Sequence, residues 1–204
     1  MLLQAIRVRG NATTADLSDA TRLDADDVAE RVEAFEREGW VRFRAGAMGG
    51  WALTGDGRAE GERRAAAELD EAGVRPAVED GYRQFRALNP SLLQVCTDWQ
   101  LRSDTGDPAQ AAANDHQDSA YDAAVIARLA DIDDAVQPIC RQLAGALDRF
   151  AGYAERFGRA LARVRDGEND WFTRPTIDSY HTVWFELHEN LLATLGIERG
   201  KETS

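Results

Sequence analysis

His181 and His188 stand seven residues apart in "DSYHTVWFELHENLL", and two histidines on one helix invite metal coordination. The spacing does not suit it. A helical ligand pair needs i, i+3 or i, i+4 separation, whereas seven residues place the rings about 10.5 Å apart along the axis. His116, from a distant polar stretch, would still leave an ion facing one histidine of that helix. No metal site is expected, and hydrogen-bonded core positions suit both histidines.

That segment and residues well upstream of it together offer the makeup of a small-molecule pocket. Trp99, Tyr121, Trp171, Tyr180 and Trp184 supply apolar walls, and Arg102, Arg174, His116, His181 and His188 supply polar anchors. Arginine with indole suits a small aromatic or anionic effector. Catalysis has no such foothold: the chain has no P-loop, GxSxG or HExxH pattern, and neither Cys96 nor Cys140 has a histidine near it in sequence. No catalytic residue and no cofactor is expected, and the chain does not read as an enzyme.

These residues need helices to carry them. Ile177, Tyr180, Trp184, Leu187, Leu191 and Leu195 form one stripe of a helix capped by Thr176 or Asp178 and closed by Gly196, and His181, Phe185, His188 and Leu192 form the adjacent stripe. From Val125 to Val164 apolar residues recur every three or four positions, which fits one long helix shared between subunits or two helices of a bundle. Pro138, Gly145, Gly152 and Gly158 favour a kinked or broken form. Upstream, one helix is expected from about Pro76 to Leu88 and another from Asn89-Pro90. "RSDTGDPAQAAANDHQDS" reads as a long loop.

The N-terminal part has a different pattern. "LLQAIRVRG" reads as a short helix, and "NATTADLSDATRL" as a second, capped by Thr13 or Thr14 and buried through Leu17, Ala20 and Leu23. A third has Asp24 as cap, Asp27 reaching back, Gly39 as stop, and Val28, Val32 and Phe35 inward. Its outward face carries Asp26, Glu30, Glu33 and Arg37, with Asp27–Arg31 and Glu33–Arg37 spaced as i, i+4 ion pairs. Val41 and Phe43 alternate with Arg42 and Arg44 as in a half-buried strand, "AGAMGG" turns, and "WALT" returns.

Helix, helix-turn-helix and two-stranded wing make a winged helix. In that order of elements, and in "LTGDGRAEGERR", residues 1–65 resemble the MarR-type bacterial regulators. The resemblance implies duplex DNA as partner, with the third helix in the major groove and the wing against the backbone. Thr14, Arg31, Arg37, Arg42, Arg44 and Arg58 are the expected DNA contacts. Asp26 and Glu30 depart from the family, which offers neutral or basic side chains there.

"TDWQLR", "NDH", "AYDAAV" and "TRPTIDSYHTVWFELHENLLATLG" resemble the C-terminal region of proteins associated with phosphoenolpyruvate-utilising dikinases. That likeness implies an alternative partner, a metabolic enzyme met by the winged helix in place of DNA.

Charge divides the chain similarly. The formal charge of -12 splits into -2 over residues 1–65 and -10 over 66–204, so the second part repels DNA and anionic membranes and suits sensing or assembly. The expected organisation is mainly α: a winged-helix domain, 1–65, then a helical bundle, 66–204, for effector binding or dimerisation. A homodimer is expected, because two-fold operators call for two-fold proteins. Two separated cysteines and the lack of a long apolar run lead to the expectation of a cytoplasmic protein without membrane contact.

Overall fold

Capping residues set the helices of the N-terminal unit. In the computed structural model, which describes residues 2–46, 49–102 and 111–197, helices α1 (Leu2–Arg9), α2 (Thr14–Thr21) and α3 (Ala25–Arg37) precede strands β1 (Val41–Arg44) and β2 (Gly50–Leu53). Thr13 caps α2 in a reciprocal box with Asp16, and the Asp24 side chain caps α3 by accepting from the Asp26 N–H. Asp27 makes no return bond. Gly39 takes a positive φ of 74° and stops α3.

Strands β1 and β2 pair antiparallel with Val41 opposite Leu53 and Phe43 opposite Trp51. Ala12 bridges to Trp51 through a pair of backbone bonds of 3.1 and 2.8 Å. Leu2, Leu3, Ile6, Ala12, Leu17, Val28, Val32 and Val41 form the buried core, flanked by Leu23, Phe35, Trp40, Trp51 and Leu53. Ala20, expected inside, is exposed. Thr21 is buried in its stead, its hydroxyl satisfied by the Leu17 carbonyl at 2.6 Å. Helix α4 (Gly55–Ala72) follows, and the described residues from Glu186 of the C-terminal helix onward also belong to this unit.

Residues 79–185 form the other compact unit. The two helices expected around Asn89-Pro90 are one helix, α5 (Arg75–Gln100), which also supplies residues 75–78 to the first unit. Proline removes a single backbone donor, while buried Tyr82, Phe85, Leu92, Cys96 and Trp99 continue one apolar face across it. Helix α6 (Ser119–Ala146) likewise runs through Pro138. The break in the long stripe comes later, at a 3-10 turn (Asp148–Phe150) and at Gly152, whose φ is 93°, before α7 (Tyr153–Arg165).

A short pair, β3 (Leu101–Arg102) with β4 (Ala112–Ala113), closes the described part of the polar stretch. Residues 103–110 of that stretch, and Ala47 and Met48 of the glycine-rich turn, lie outside the described residues. Helix α8 (Asp170–Thr173) leads to α9 (Tyr180–Leu195), closed by Gly196 at φ 70°. Ser179 caps α9 by accepting from the Thr182 N–H at 3.3 Å. Asp178, an expected cap, is engaged by Arg156 and Arg159. No helix among the described residues is long and apolar enough to cross a membrane.

Candidate functional site

The outward side of α3 and the adjoining hairpin carry the charges in question. Asp26, Asp27, Glu30, Arg31, Glu33 and Arg37 are exposed. Neither expected ion pair, Asp27–Arg31 or Glu33–Arg37, forms. Exposed side chains at i, i+4 gain only a few tenths of a kcal/mol from pairing, about what ordering two long chains costs.

Two groups of arginines stand out here. Arg7 is tied to Glu62 at 2.7 Å, and Arg63 and Arg64 share Glu60 at 2.7 and 2.6 Å. Their hydrogen bonds hold the Glu60 carboxyl down at about 2. Arg64 also lies over the Trp40 ring at 4.7 Å. By contrast, the side chains of Arg31, Arg37, Arg42, Arg44 and Arg58 are exposed and meet no carboxylate, hydrogen-bond acceptor or aromatic ring among the described residues. Arg63 and Arg64 share the single Glu60 carboxylate and so keep one net positive charge between them. Thr14 is half-buried as the first residue of α2.

Local packing fixes the hairpin's base. Thr54 donates its hydroxyl to the Gly39 carbonyl at 2.7 Å while capping α4 through the Gly57 N–H at 3.0 Å. A Cβ at Gly57 would lie 1.8 Å from the Trp40 carbonyl oxygen, so the close backbone approach there needs glycine. Val41 is buried as expected, but Phe43 is 57 % exposed and meets the Trp51 ring edge-on at 5.3 Å. The core extends under the first residue of β1 and no further.

Among the ten residues expected around a pocket, the second unit gathers four. Trp99 is buried between Phe172, stacked at 4.4 Å, and His116, also at 4.4 Å. His116 takes a left-handed φ of 57° and points Nδ1 at Asp122 Oδ2, 3.0 Å away. Asn114 donates to Asp122 Oδ1 at 2.9 Å and to the Trp99 carbonyl at 3.2 Å. Asp122 Oδ2 and the Asn114 side-chain nitrogen, at 3.0 and 3.2 Å, both face His116 Nδ1. Arg102 lies over Tyr121 at 5.0 Å and pairs with Asp118 at 3.0 Å, and Tyr121 donates to the Asp98 carbonyl.

The other six stand elsewhere. Trp171 is half-buried under Arg163, and Arg174 pairs with Asp170 at the surface. Trp184 is core, stacked on Phe85 at 4.3 Å with its N–H given to Asn89 at 3.0 Å. Tyr180 is fully buried and donates to Asp133 at 3.2 Å. His181 is half-buried, which pushes its imidazole below the ordinary range. His188 belongs to the first unit and is half-buried.

Sequence reasoning missed Asn114, Asp122 and Asp133. Asn114 lies in the dense polar "NDH" and Asp122 in "AYDAAV", at the start of a capped helix; Asp133 carries no signal, sitting at a polar position of α6 yet only 7 % exposed. Its burial raises the carboxyl's pKa despite donors from Gln137 and Tyr180. Burial likewise pushes both thiols, Cys96 and Cys140, up to about 12, so they are inert at neutral pH. Among the described residues, no group of three or more His, Cys, Asp or Glu side chains is placed to hold a metal ion. Comparison of the chain with protein families, curated proteins and solved structures finds no match.

Proposed function

We propose that the N-terminal part is a winged helix that binds duplex DNA, and that the chain is a transcription regulator whose helical remainder serves effector binding or dimerisation. The observation that carries this reading is the group of five arginines, Arg31, Arg37, Arg42, Arg44 and Arg58, exposed and without a protein counter-charge. Phosphates supply that counter-charge, and each one neutralised releases condensed cations. The Asp24-capped α3 and the following hairpin support the docking geometry, helix toward the major groove and strands toward the backbone. Gel-shift titration against the DNA upstream of the chain's own reading frame, at two salt concentrations, tests it. Affinity should fall steeply with salt; a protein that binds neither that duplex nor an unrelated one at low salt sinks the proposal.

A second reading has its own observation. Asp26, Asp27, Glu30 and Glu33 are exposed and make no ion pair, and an unneutralised acidic helix face opposes phosphates while suiting a basic protein surface. On that reading the chain is a regulatory partner of a metabolic enzyme and binds no DNA.

A further inference from the structure

The apolar stripe from Val125 to Val164, whose spacing would also suit a seam between subunits, is spent inside one chain. Val125, Leu129, Val136, Leu143, Phe157 and Val164 are all buried, so a second copy needs a different face. Among the described residues four large hydrophobic side chains are exposed, and two of them, Leu93 at 51 % and Leu101 at 44 %, lie at the end of α5 and just beyond it.

Pro90, Leu93 and Thr97 are spaced three and four apart on one side of α5, and all three are exposed. Leu101 follows Thr97 by four residues, directly after the last residue of the helix. The Thr97 hydroxyl donates to the Leu93 carbonyl at 2.9 Å, which leaves the methyl group to meet a partner. Neighbouring polar groups are likewise engaged with one another: Gln94 donates to Asp98 at 2.8 Å, and Asp98 pairs with Arg128 at 2.7 Å. Asp98 is the single charged residue between Ala87 and Leu101, and Arg128 balances it.

A chain of formal charge -12 repels its own copies over most of its surface. A partner of opposite charge would be drawn to the acidic faces, whereas a like-charged copy meets least repulsion on a face whose charges cancel and whose polar groups are satisfied. Leu93 and Leu101 also stand at equal distances in sequence on either side of Thr97, so the segment can match itself about a two-fold axis. We propose that residues 90–101 form the seam of a homodimer, the two segments running antiparallel, with Leu93 of each copy against Leu101 of the other and the two Thr97 side chains facing across the axis. The proposal rests on the dimerisation half of the reading above and not on DNA binding.

Sedimentation equilibrium of the full chain over micromolar to submillimolar concentrations tests it. Standard interfaces use roughly 20–30 residues a side, more than this segment supplies, so a weak, reversible dimer is expected, and it should tighten as salt screens the repulsion between copies. Thr97→Glu and Thr97→Arg should each weaken the dimer by about tenfold or more, because like charges then face each other on the axis. An equimolar mixture of the two should recover dimer, which misfolded variants could not do. Leu93→Ala, which removes apolar area and adds no charge, should also weaken association.

A chain that stays monomeric throughout that range overturns the proposal. So does a dimer that the charged variants leave intact, which moves the seam to another face, or one that salt loosens, which is held by ion pairs. Weakening by both charged variants without recovery on mixing takes Thr97 off the axis and overturns the pairing. The gel shift keeps the two readings apart: a monomer that binds duplex DNA removes this seam alone, and a dimer of this kind that binds none removes the DNA reading alone.

Discussion

Gln4 of α1 donates its side-chain N–H groups to the Asn190 carbonyl and to Asn190 Oδ1, at 3.2 and 3.0 Å, across 186 residues of sequence. Both residues are buried, at 7 % and 5 % exposure, and the Thr194 hydroxyl also reaches Asn190 Oδ1. The end of α9 is thus part of the N-terminal unit's interior, joined to it by buried polar groups.

Removing the Asn190 side chain leaves Gln4 its bond to the Asn190 backbone carbonyl but takes an acceptor from Gln4 and from the Thr194 hydroxyl in a buried place. Asn190→Ala should cost about 1–3 kcal/mol in urea unfolding. The double replacement Gln4→Leu with Asn190→Leu should cost clearly less than the sum of the single Leu variants. Strict additivity would show that the bond contributes nothing as a pair.

Neutralising the outward face of α3 tests why it is acidic. If the carboxylates serve the helix and only oppose phosphates, Asp26→Asn with Glu30→Gln should tighten nonspecific DNA binding measured by anisotropy. The melting temperature should barely move, because neither side chain has a protein partner among the described residues. The enzyme-partner reading expects no DNA binding before or after the change.

Glycine at position 57 is a steric requirement. Gly57→Ala drives a methyl carbon into the Trp40 carbonyl, both ends of the clash being backbone, and should destabilise by about 3 kcal/mol or more. Gly55→Ala, two residues earlier with open space around its Cβ, is the control and should melt like the wild type or slightly above it.

Asp133 gives a pH dependence of stability. Its pKa is raised in the folded state, first because burial disfavours the charged carboxylate, with Asp134 adding to the rise. The neutral form is the one the fold prefers. The contribution is therefore complete below the ordinary aspartate range and is lost as pH rises through the folded-state value. Asp133→Asn should raise the melting temperature at neutral pH and lose that advantage in acid. An advantage that grew as pH fell would contradict the assignment.

Much of the N-terminal unit was legible because its signals are local. Thr13 and Asp24 announced their helices, Gly39 announced a stop, and the alternation of Val41 with the following arginines announced a strand. The errors came where local rules met longer-range packing. Pro90 suggests a helix start and Pro138 a kink or restart, yet each lies inside a helix whose buried face outweighs one missing hydrogen bond. Alternation places Phe43 with Val41 on the buried face of its strand, yet Phe43 is exposed, because nothing local tells how far the core extends beneath a strand. The pocket residues shared only their chemical type. Trp99 and His116 meet because the chain returns through β4, whereas Trp184 and Tyr180 are consumed by the core. Gln4 and Asn190 carry no pattern at all.

The cluster around Trp99 separates a ligand site from a structural fastening. His116→Ala removes the ring covering one side of the buried indole and the acceptor-donor pair with Asp122. It should shift tryptophan emission to the red and cost about 1–3 kcal/mol. Asn114→Ala should do the same, because Asn114 ties the Trp99 carbonyl to Asp122. An effector bound at the cluster adds a second signature: a saturable emission change and a stability gain of about 2.7 kcal/mol when free ligand reaches about 100 times its Kd. Titration of small aromatic carboxylates into the wild type and into His116→Gln, which keeps polarity but not the ring, distinguishes the two. A saturable response lost in His116→Gln assigns the imidazole to ligand binding. Emission that no carboxylate moves, with stability reduced in both His116→Ala and Asn114→Ala, assigns the cluster to fastening α5 to α6.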